Sequence, residues 1–211
     1  MTETYYAGKL PILALRGLAV FPDQTVHFDV GRKKSVLALE AAMKADQKIL
    51  LIPQKDLLVD DPRLIDLYPI GVIAQVKQVL KAQGENLRVL VTGLHRARIT
   101  EMNQTDPYLA GIVESVPDQQ GGDNIRSHAL RREAIGVYGM YSDMAEHPGQ
   151  VIQLKLMSSE DNGFLADTIA QNSSIDIKDK CKLLCMLNPT RRLETAVRLL
   201  RQEVEMLRLE F

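Results

Sequence analysis

The chain has 211 residues, enough for one large domain or two small ones. Hydrophobic residues make up 45% and charged residues 25% of it, a composition typical of folded globular proteins that excludes a disordered chain. With 26 Lys and Arg against 27 Asp and Glu, the formal net charge is −1, which does not favour a dedicated nucleic-acid binder.

Short apolar runs rich in β-branched residues fill the first half of the chain and predict β-strands. They lie at residues 10–15, 25–30, 48–53, 71–81, 87–99 and 108–116. The fourth and fifth runs predict a hairpin across residues 82–86, where Gly84 can take the positive φ that such loops need. Gly93 lies inside the fifth strand, and we interpret it as a bulge or bend of a curved sheet.

One helix is expected among the strands, and a polar stretch follows the last of them. Ser35 is a candidate N-cap for a helix at 36–45, with Val36, Leu39 and Met43 spaced to face a core. Residues 117–123 are polar and contain glycine, and the strand pattern ends there. We therefore expect a β subdomain at 1–118 and a helical bundle at 124–211.

Helical periodicity dominates the second half. An apolar stripe predicts a helix at 130–144, ended by His147 and Pro148, and shorter helices follow at 150–157, 164–171 and 176–187. Asn188 and Pro189 favour the start of a last helix. Its apolar residues recur at alternating spacings of four and three, at Leu193, Val197, Leu200, Val204, Leu207 and Phe211.

That spacing fits either a coiled-coil seam, with Arg192 among the residues of the solvated faces, or an amphipathic bundle helix. Phe211 occupies a seam position with no C-cap after it, so we expect the chain to be part of a longer protein, truncated in this helix.

Motifs for catalysis, metal binding or membrane insertion are not found. There is no phosphate-binding loop, no serine elbow and no metal-ligand spacing among the four histidines, so we expect no catalytic, cofactor-binding or metal-binding residue here. No apolar run approaches the ~20 residues of a membrane span. Cys181 and Cys185 lie one helical turn apart, and we interpret them as packing residues in a reducing compartment.

Two basic stretches remain as candidate contact surfaces. Arg32, Lys33 and Lys34 form the densest positive cluster, whereas Arg96 and Arg98 alternate along a strand and should share one face. Each fits a solvated surface or an electrostatic contact with nucleic acid or an acidic partner. Because no aromatic residues interleave with them, nucleic-acid binding is disfavoured.

Four segments of the first half carry a family resemblance. They are LPILALRGLAVFP at 10–22, VGRKKS at 30–35, GVIA at 71–74 and RVLVTGLHRA at 88–97. In this order they resemble the amino-terminal domain of bacterial ATP-dependent Lon proteases, and the resemblance spans nearly the whole chain. One departure is Ala14, where the family often has a second proline.

The resemblance implies an α+β fold, in which a PUA-like mixed β-sheet or barrel with one inserted helix precedes an all-α bundle ending in a long helix. It implies a non-catalytic domain that selects and holds unfolded or misfolded protein substrates. The parent would be a homohexameric, cytoplasmic serine protease, and its ATP, Mg²⁺ and serine-lysine peptidase would belong to modules outside this chain.

Candidate substrate contacts follow the first strand and lie in the basic cluster. They are Arg16, Leu18, Val20, Phe21, Pro22, Arg32, Lys33 and Lys34. Val20 and Phe21 are also open to interpretation as core residues. Two alternative functions remain: a standalone Lon-domain protein-binding module, and a PUA-like RNA-binding module whose salt-dependent binding would require Arg96 and Arg98.

Overall fold

The computed structural model describes residues 5–120, 124–146 and 149–210. The chain divides into two units, Met1–Pro117 and Asp118–Phe211. Residues 121–123 of the predicted boundary stretch 117–123, the predicted helix end at His147 and Pro148, and the seam position Phe211 lie outside the described residues. Within the described ranges, no helix has both the length and the hydropathy needed to cross a membrane.

The described part of the first unit contains six strands and one α-helix. They are β1 (Ala7–Leu15), β2 (Thr25–Val30), α1 (Lys33–Met43), β3 (Lys48–Pro53), β4 (Gly71–Lys81), β5 (Leu87–Gln104) and β6 (Ala110–Ser115). The strand order is β2-β5-β4-β3-β1-β6, and the long β5 also pairs with β6. Strands β1, β3, β4, β5 and β6 therefore close into a barrel, to which β2 is attached through β5.

The bounds of β2, β3 and β4 confirm the predictions, whereas three strands differ at their ends. β1 begins at Ala7 because residues 7–11 pair with β6. β5 continues to Gln104 because its last residues also pair with β6, which is itself shorter than predicted. Backbone pairing, and not the apolar pattern, sets these ends.

Alternate residues of β1 face two separate cores, as expected of an extended strand. Leu13 and Leu15 pack with α1 in one core, in which Leu39 is buried. Ile12 and Ala14 belong to the other core, on the opposite side of the strand.

The predicted start of α1 is wrong. Ser35 lies inside the helix and is buried, and the N-cap residue is Arg32, which makes no side-chain capping bond. The Val36 N–H donates to the Arg32 carbonyl at 2.9 Å, so the first turn closes on the backbone. The Arg32 side chain is thereby available for other partners.

Gly93 lies at a β-bulge, as predicted. Ile73 pairs with His95 and Ala74 pairs with Gly93, so Leu94 is the extra residue. The Gly93 N–H donates to the Gln24 carbonyl at 2.9 Å, and the loop before β2 approaches so closely that a Cβ on Gly93 would lie 2.2 Å from the Phe21 oxygen.

The second unit is helical throughout its described elements. They are α2 (Ile125–Met144), α3 (Gln150–Met157), α4 (Asn162–Gln171), α5 (Ile177–Cys185) and α6 (Pro189–Glu210). The Asn188 side chain accepts a bond from the Arg191 N–H at 3.1 Å, which confirms the predicted cap. Helix α6 contacts α2 and α4 and buries Leu193, Val197, Leu200 and Val204. The structure therefore supports the bundle interpretation of its apolar stripe.

Arg192 is buried, which corrects its assignment to a solvated face. Its Nη1 and Nη2 donate to the two carboxylate oxygens of Asp118 at 2.8 and 2.7 Å, and its Nε lies 3.1 Å from Asp167 Oδ1. Burial acts to lower the pKa of Arg192, but the bond to Asp118 and the charge of Asp167 outweigh it and raise that pKa. Two acidic partners thus make this burial possible.

Candidate functional site

The predicted contact residues differ in how far they are buried. Val20 and Phe21 are 1% and 0% exposed, so the structure supports the core interpretation for them, and they do not face solvent. Arg16 and Lys33 are exposed, whereas the other four predicted contacts are half-buried: Leu18, Pro22, Arg32 and Lys34. The run after β1 is apolar because part of it fills the core.

The Arg32 side chain connects β1 to the loop that follows β3 through hydrogen bonds. Its Nη2 donates to the Ala14 carbonyl at 2.7 Å, and its Nη1 donates to Gln54 Oε1 at 2.8 Å and to the Asp60 carbonyl at 3.3 Å. Burial lowers the pKa of Arg32, and the neighbouring Arg16 cation acts in the same direction. With both terminal nitrogens bonded to the protein, Arg32 positions its neighbours and is poorly placed to capture a ligand anion.

Acidic side chains pair with Lys34 of the predicted basic cluster and with the neighbouring Arg16. The Lys34 Nζ lies 2.8 Å from Asp61 Oδ1 and 3.3 Å from Asp106 Oδ1, and the bond to Asp61 raises the pKa of Lys34. Arg16 pairs with Asp60 at 3.5 Å. These acidic residues lie in loops distant in sequence from the basic residues. The order of charges along the chain therefore did not show that this surface carries both signs of charge.

Arg32 lies between two cavities formed by described residues of the first unit. The first, the apolar cavity, has a volume of about 290 Å³ and is lined by Ile12, Ala14, Arg32, Lys33, Lys34, Ser35, Asp60, Asp61, Pro62 and Leu109. The second, the seam cleft, has a volume of about 490 Å³. On the β1 side it is lined by residues 13–16 and Leu18, and on the β2 side by residues 28–31 and Asn86, with Arg32 and Ser35 between them.

The loop at residues 55–66, which we call the apolar loop, exposes large hydrophobic side chains. The exposed fractions are 49% for Leu57, 88% for Leu58, 46% for Leu64 and 78% for Ile65. Soluble proteins seldom hold several such side chains in water on one loop, and exposed apolar patches mark interaction sites. The loop adjoins the apolar cavity through Asp60, Asp61 and Pro62.

Hydrogen bonds hold the apolar loop open. The buried Gln54 side chain donates from Nε2 to the carbonyls of Asp56 and Val59 at 2.7 and 2.8 Å, while its Oε1 accepts from Arg32. The Lys55 N–H donates to the Asp66 carbonyl at 2.8 Å and closes the loop at its base. These bonds fix the backbone, so the apolar side chains do not collapse into the core.

The sequence analysis did not identify this loop, because its candidate contacts were taken only from the run after β1 and from the basic cluster. The available signal was two apolar pairs, Leu57-Leu58 and Leu64-Ile65, inside a loop rich in Asp. Nothing in the sequence alone shows that Gln54 is buried and organises them.

The second basic stretch is not a continuous surface. Arg96 is 4% exposed and its guanidinium lies 5.9 Å from the centre of the Phe21 ring, so the loop before β2 covers it. Arg98 is exposed and pairs with Glu114. Because Arg96 is buried, the interpretation of this stretch as a solvated or contacting surface is wrong for that residue.

A family model matches most of the chain. Residues 9–202 match the model of the ATP-dependent protease La (LON) substrate-binding domain. The chain belongs to this family. The match confirms the resemblance carried by the segments at 10–22, 30–35, 71–74 and 88–97, and it does not favour an RNA-binding or a standalone module.

Relatives of this Lon substrate-binding domain are much longer proteins. The Lon protease of Syntrophomonas wolfei subsp. wolfei is 38% identical over 211 residues, covering 99% of this chain and 25% of the relative. The Lon protease of Brevibacillus choshinensis is 37% identical over 210 residues, covering 100% of this chain and 27% of the relative. The chain therefore spans about a quarter of the length of these relatives.

Solved structures confirm the α+β fold of the Lon substrate-binding domain. The N-terminal domain of a Mycobacterium avium complex Lon protease matches with a TM-score of 0.72 and 22% identity, covering 92% of this chain and 98% of the other. A Lon N-terminal domain protein from Xanthomonas campestris matches with a TM-score of 0.63 and 15% identity, covering 90% and 98%. At these identities the likeness concerns the fold alone.

Proposed function

We propose that this chain is the non-catalytic substrate-recognition domain of an ATP-dependent Lon protease that degrades misfolded and regulatory proteins. We further propose that the apolar loop and the apolar cavity hold exposed hydrophobic segments of these substrates. The family match and the relatives support the first statement. The observation that carries the second is the fixed exposure of Leu57, Leu58, Leu64 and Ile65.

Burial of apolar surface drives such binding, at ~25 cal/mol per Å² removed from water. Ordering a flexible substrate offsets much of this gain, so a single domain should bind weakly. Weak contacts suit a recognition domain, because the captured polypeptide must leave it again for degradation.

For the whole protein we propose a cytoplasmic homohexamer with ATP, Mg²⁺ and a serine-lysine peptidase in modules outside this chain. The length of the relatives supports this proposal. Several copies of one weak site would act together on a long unfolded substrate, since linked sites raise the effective concentration of one another.

The proposal is tested with the double variant Leu58→Ser and Ile65→Ser. The probe is a reduced, alkylated and fluorescently labelled model protein, with its native folded form as the comparison. Because both side chains are largely exposed, the fold should be retained, whereas the affinity for the unfolded probe should fall about tenfold or more.

The matched control is Leu80→Ser, which removes a side chain 50% exposed on β4, outside the apolar loop. It should leave binding of the unfolded probe unchanged. Equal affinity of the double variant and the unaltered chain would exclude the apolar loop as the binding surface. Failure of the unaltered chain to bind any unfolded probe would contradict the proposed function itself.

A further inference from the structure

Strand β2 has a long edge with no partner strand among the described residues. Its six residues pair with β5, from Thr25 opposite Thr92 to Val30 opposite Leu87. In the strand order β2 stands at the end of the sheet, outside the ring of strands that closes into a barrel. Its other edge therefore presents backbone groups that no strand of the described chain satisfies.

The hydrogen-bonding alternation shows which residues present those groups. The Gly93 N–H donates to the Gln24 carbonyl, so this carbonyl faces β5, and the Thr25 N–H, on the opposite side of the same trans peptide, points away from β5. In an antiparallel strand, both backbone groups of a residue point the same way and successive residues alternate. The residues whose N–H and carbonyl groups point away from β5 are therefore Thr25, His27 and Asp29.

Side-chain contacts support this assignment. Thr25 Oγ1 lies 2.9 Å from Thr92 Oγ1, and the Arg88 Nε lies 2.9 Å from Asp29 Oδ1. Each contact joins residues directly opposite each other in the register. Close side-chain contacts are typical of the pairs that do not exchange backbone hydrogen bonds.

The edge lacks the usual devices that prevent strand addition. Natural edge strands are commonly protected by lysine, proline, a bulge or an inward-pointing charge. The sequence of β2 is TVHFDV, without lysine or proline, and the charge of Asp29 is paired with Arg88. The side chains of Thr25, His27 and Asp29 are exposed.

The seam cleft lies at the carboxyl end of this edge. Residues 28–31 form its β2 side, and Leu18 with residues 13–16 forms its β1 side. Its volume of about 490 Å³ is sufficient for a side chain of a polypeptide that follows β2. Backbone groups and a side-chain pocket thus lie beside each other.

We propose that the free edge of β2 binds an extended segment of an unfolded polypeptide as an added strand, with one side chain of that segment in the seam cleft. This inference rests on the proposed function and specifies the form in which the substrate is held. Thr25, His27 and Asp29 each offer one donor and one acceptor, which every unfolded chain can match whatever its sequence. A folded protein pairs its own backbone groups, so it offers no such segment.

The first test uses N-methylated peptides, which leave the protein unaltered. The probe is a labelled peptide of about six alternating valine and threonine residues, the length of β2, flanked by lysines. Methylation of every second amide removes the N–H donors along one edge of the extended peptide and leaves its other edge able to pair with β2. Methylation of all amides removes the donors along both edges of the peptide. The singly blocked peptide should bind, and the fully blocked peptide, with the same side chains, should bind at least about tenfold more weakly.

The second test compares His27→Pro with His27→Thr. Proline removes the outward N–H at a position where edge strands tolerate it, whereas threonine keeps the N–H and changes only the side chain. Binding of the singly blocked peptide should fall about fivefold to tenfold in His27→Pro and stay unchanged in His27→Thr. Circular dichroism shows whether the proline variant is folded, and if it is not, the peptide comparison alone decides.

The outcomes separate this proposal from the proposed function. If singly and fully blocked peptides bind equally, strand addition is excluded, while loss of unfolded-protein binding in the Leu58 and Ile65 double variant still supports the proposed function. The edge of β2 could instead pair with β2 of a second copy of the chain. Sedimentation would then show a dimer that does not bind the peptide and that is absent in His27→Pro. This result would overturn the proposal.

Discussion

At position 93 the backbone of β5 touches the backbone of the loop before β2, so this residue has no room for a side chain. A Cβ there would lie 2.2 Å from the Phe21 oxygen and 2.9 Å from the Phe21 carbonyl carbon. Replacing Gly93 with alanine must displace that loop, and we expect a loss of about 1–3 kcal/mol in the free energy of unfolding. Denaturant unfolding followed by circular dichroism measures it.

The matched control is the same substitution at Gly136, a position inside α2 where an added Cβ would meet nothing within 4 Å beyond its chain neighbours and the backbone of its own helix. Alanine is the better helix former by about 0.8–1 kcal/mol, so Gly136→Ala should stabilise the chain. The two variants should thus shift the unfolding midpoint in opposite directions. A stability for Gly93→Ala equal to that of the unaltered chain would show that the loop adjusts without cost.

Side-chain positions around this loop show what the sequence could not predict. The bulge at Gly93 was predictable because a glycine inside a strand weakens it and commonly marks a bulge or a bend. The burial of Val20, Phe21 and Arg96 was not, because an apolar run in a loop and an arginine on a strand are each compatible with either side of a surface. Only the fold shows that the Phe21 ring covers Arg96.

At the scale of elements, Arg192 links the first turn of α6 to the rest of the second unit. Replacing it with methionine would remove the guanidinium that lies 3.1 Å from Asp167 Oδ1 and 2.7 Å from Asp118 Oδ2. Removing one partner of a buried ion pair costs about 3–5 kcal/mol, so Arg192→Met should lower the free energy of unfolding by that amount. Thermal and denaturant unfolding both measure the change.

Arg201→Met provides the control on the same helix. Arg201 pairs with Glu133 at 2.8 Å, but the side chains are 51% and 44% exposed, and exposed pairs contribute about 0.2–1 kcal/mol. The effect of Arg192→Met should therefore be several times larger. Similar effects of the two substitutions would show that Asp118 and Asp167 find solvent or other partners when Arg192 is removed.

The buried Tyr138 of α2 gives the second unit a dependence on alkaline pH. Burial, with a smaller contribution from Tyr141, raises the pKa of Tyr138 to about 12, from 10.0 when unperturbed. The unfolded chain then loses this proton at a lower pH than the folded one. The stability that it contributes is complete below about pH 10 and is lost as the pH rises towards about 12.

Tyr138→Phe removes that titration, although it also deletes the bond from the Tyr138 hydroxyl to the Asn172 carbonyl. We therefore expect the variant to be less stable at neutral pH and to lose less stability between pH 10 and 12. Denaturant unfolding at several pH values compares the two slopes. Parallel slopes would show that Tyr138 does not titrate in this range.

The elements themselves were largely predictable, and their ends were not. Apolar periodicity identified β2, β3, β4 and α3 with the bounds that the structure has. The ends of β1, β5 and β6 depend on pairing between distant strands, and the start of α1 depends on Arg32 turning its side chain towards Ala14 and Gln54. Local pattern carries no information about such partners.

At the scale of the whole molecule, strand order decides which surfaces are available. The order β2-β5-β4-β3-β1-β6 leaves β2 at the end of the sheet and brings residues 13–16 and 28–31 to the two sides of one cleft. Arg16, Leu18 and Arg32, singled out from the sequence, do line that cleft. The apolar loop and the free strand edge could not be identified before the strand order was known.

The charge of the whole molecule favours protein binding over nucleic-acid binding. The net charge is −1, and Arg16, Lys34, Arg88 and Arg98 are paired with acidic side chains. Binding through apolar and backbone groups should therefore change little between ~50 and ~200 mM salt, whereas a protein with ~6–10 phosphate contacts loses ~10³-fold or more in affinity. Fluorescence anisotropy with the unfolded labelled protein measures this dependence, and a labelled single-stranded RNA in the same titration is the control.

We expect the affinity for the protein probe to be nearly independent of salt, and we expect no binding of the RNA. A steep fall of protein binding with salt would instead assign recognition to the cations of the surface and contradict the role of the apolar loop.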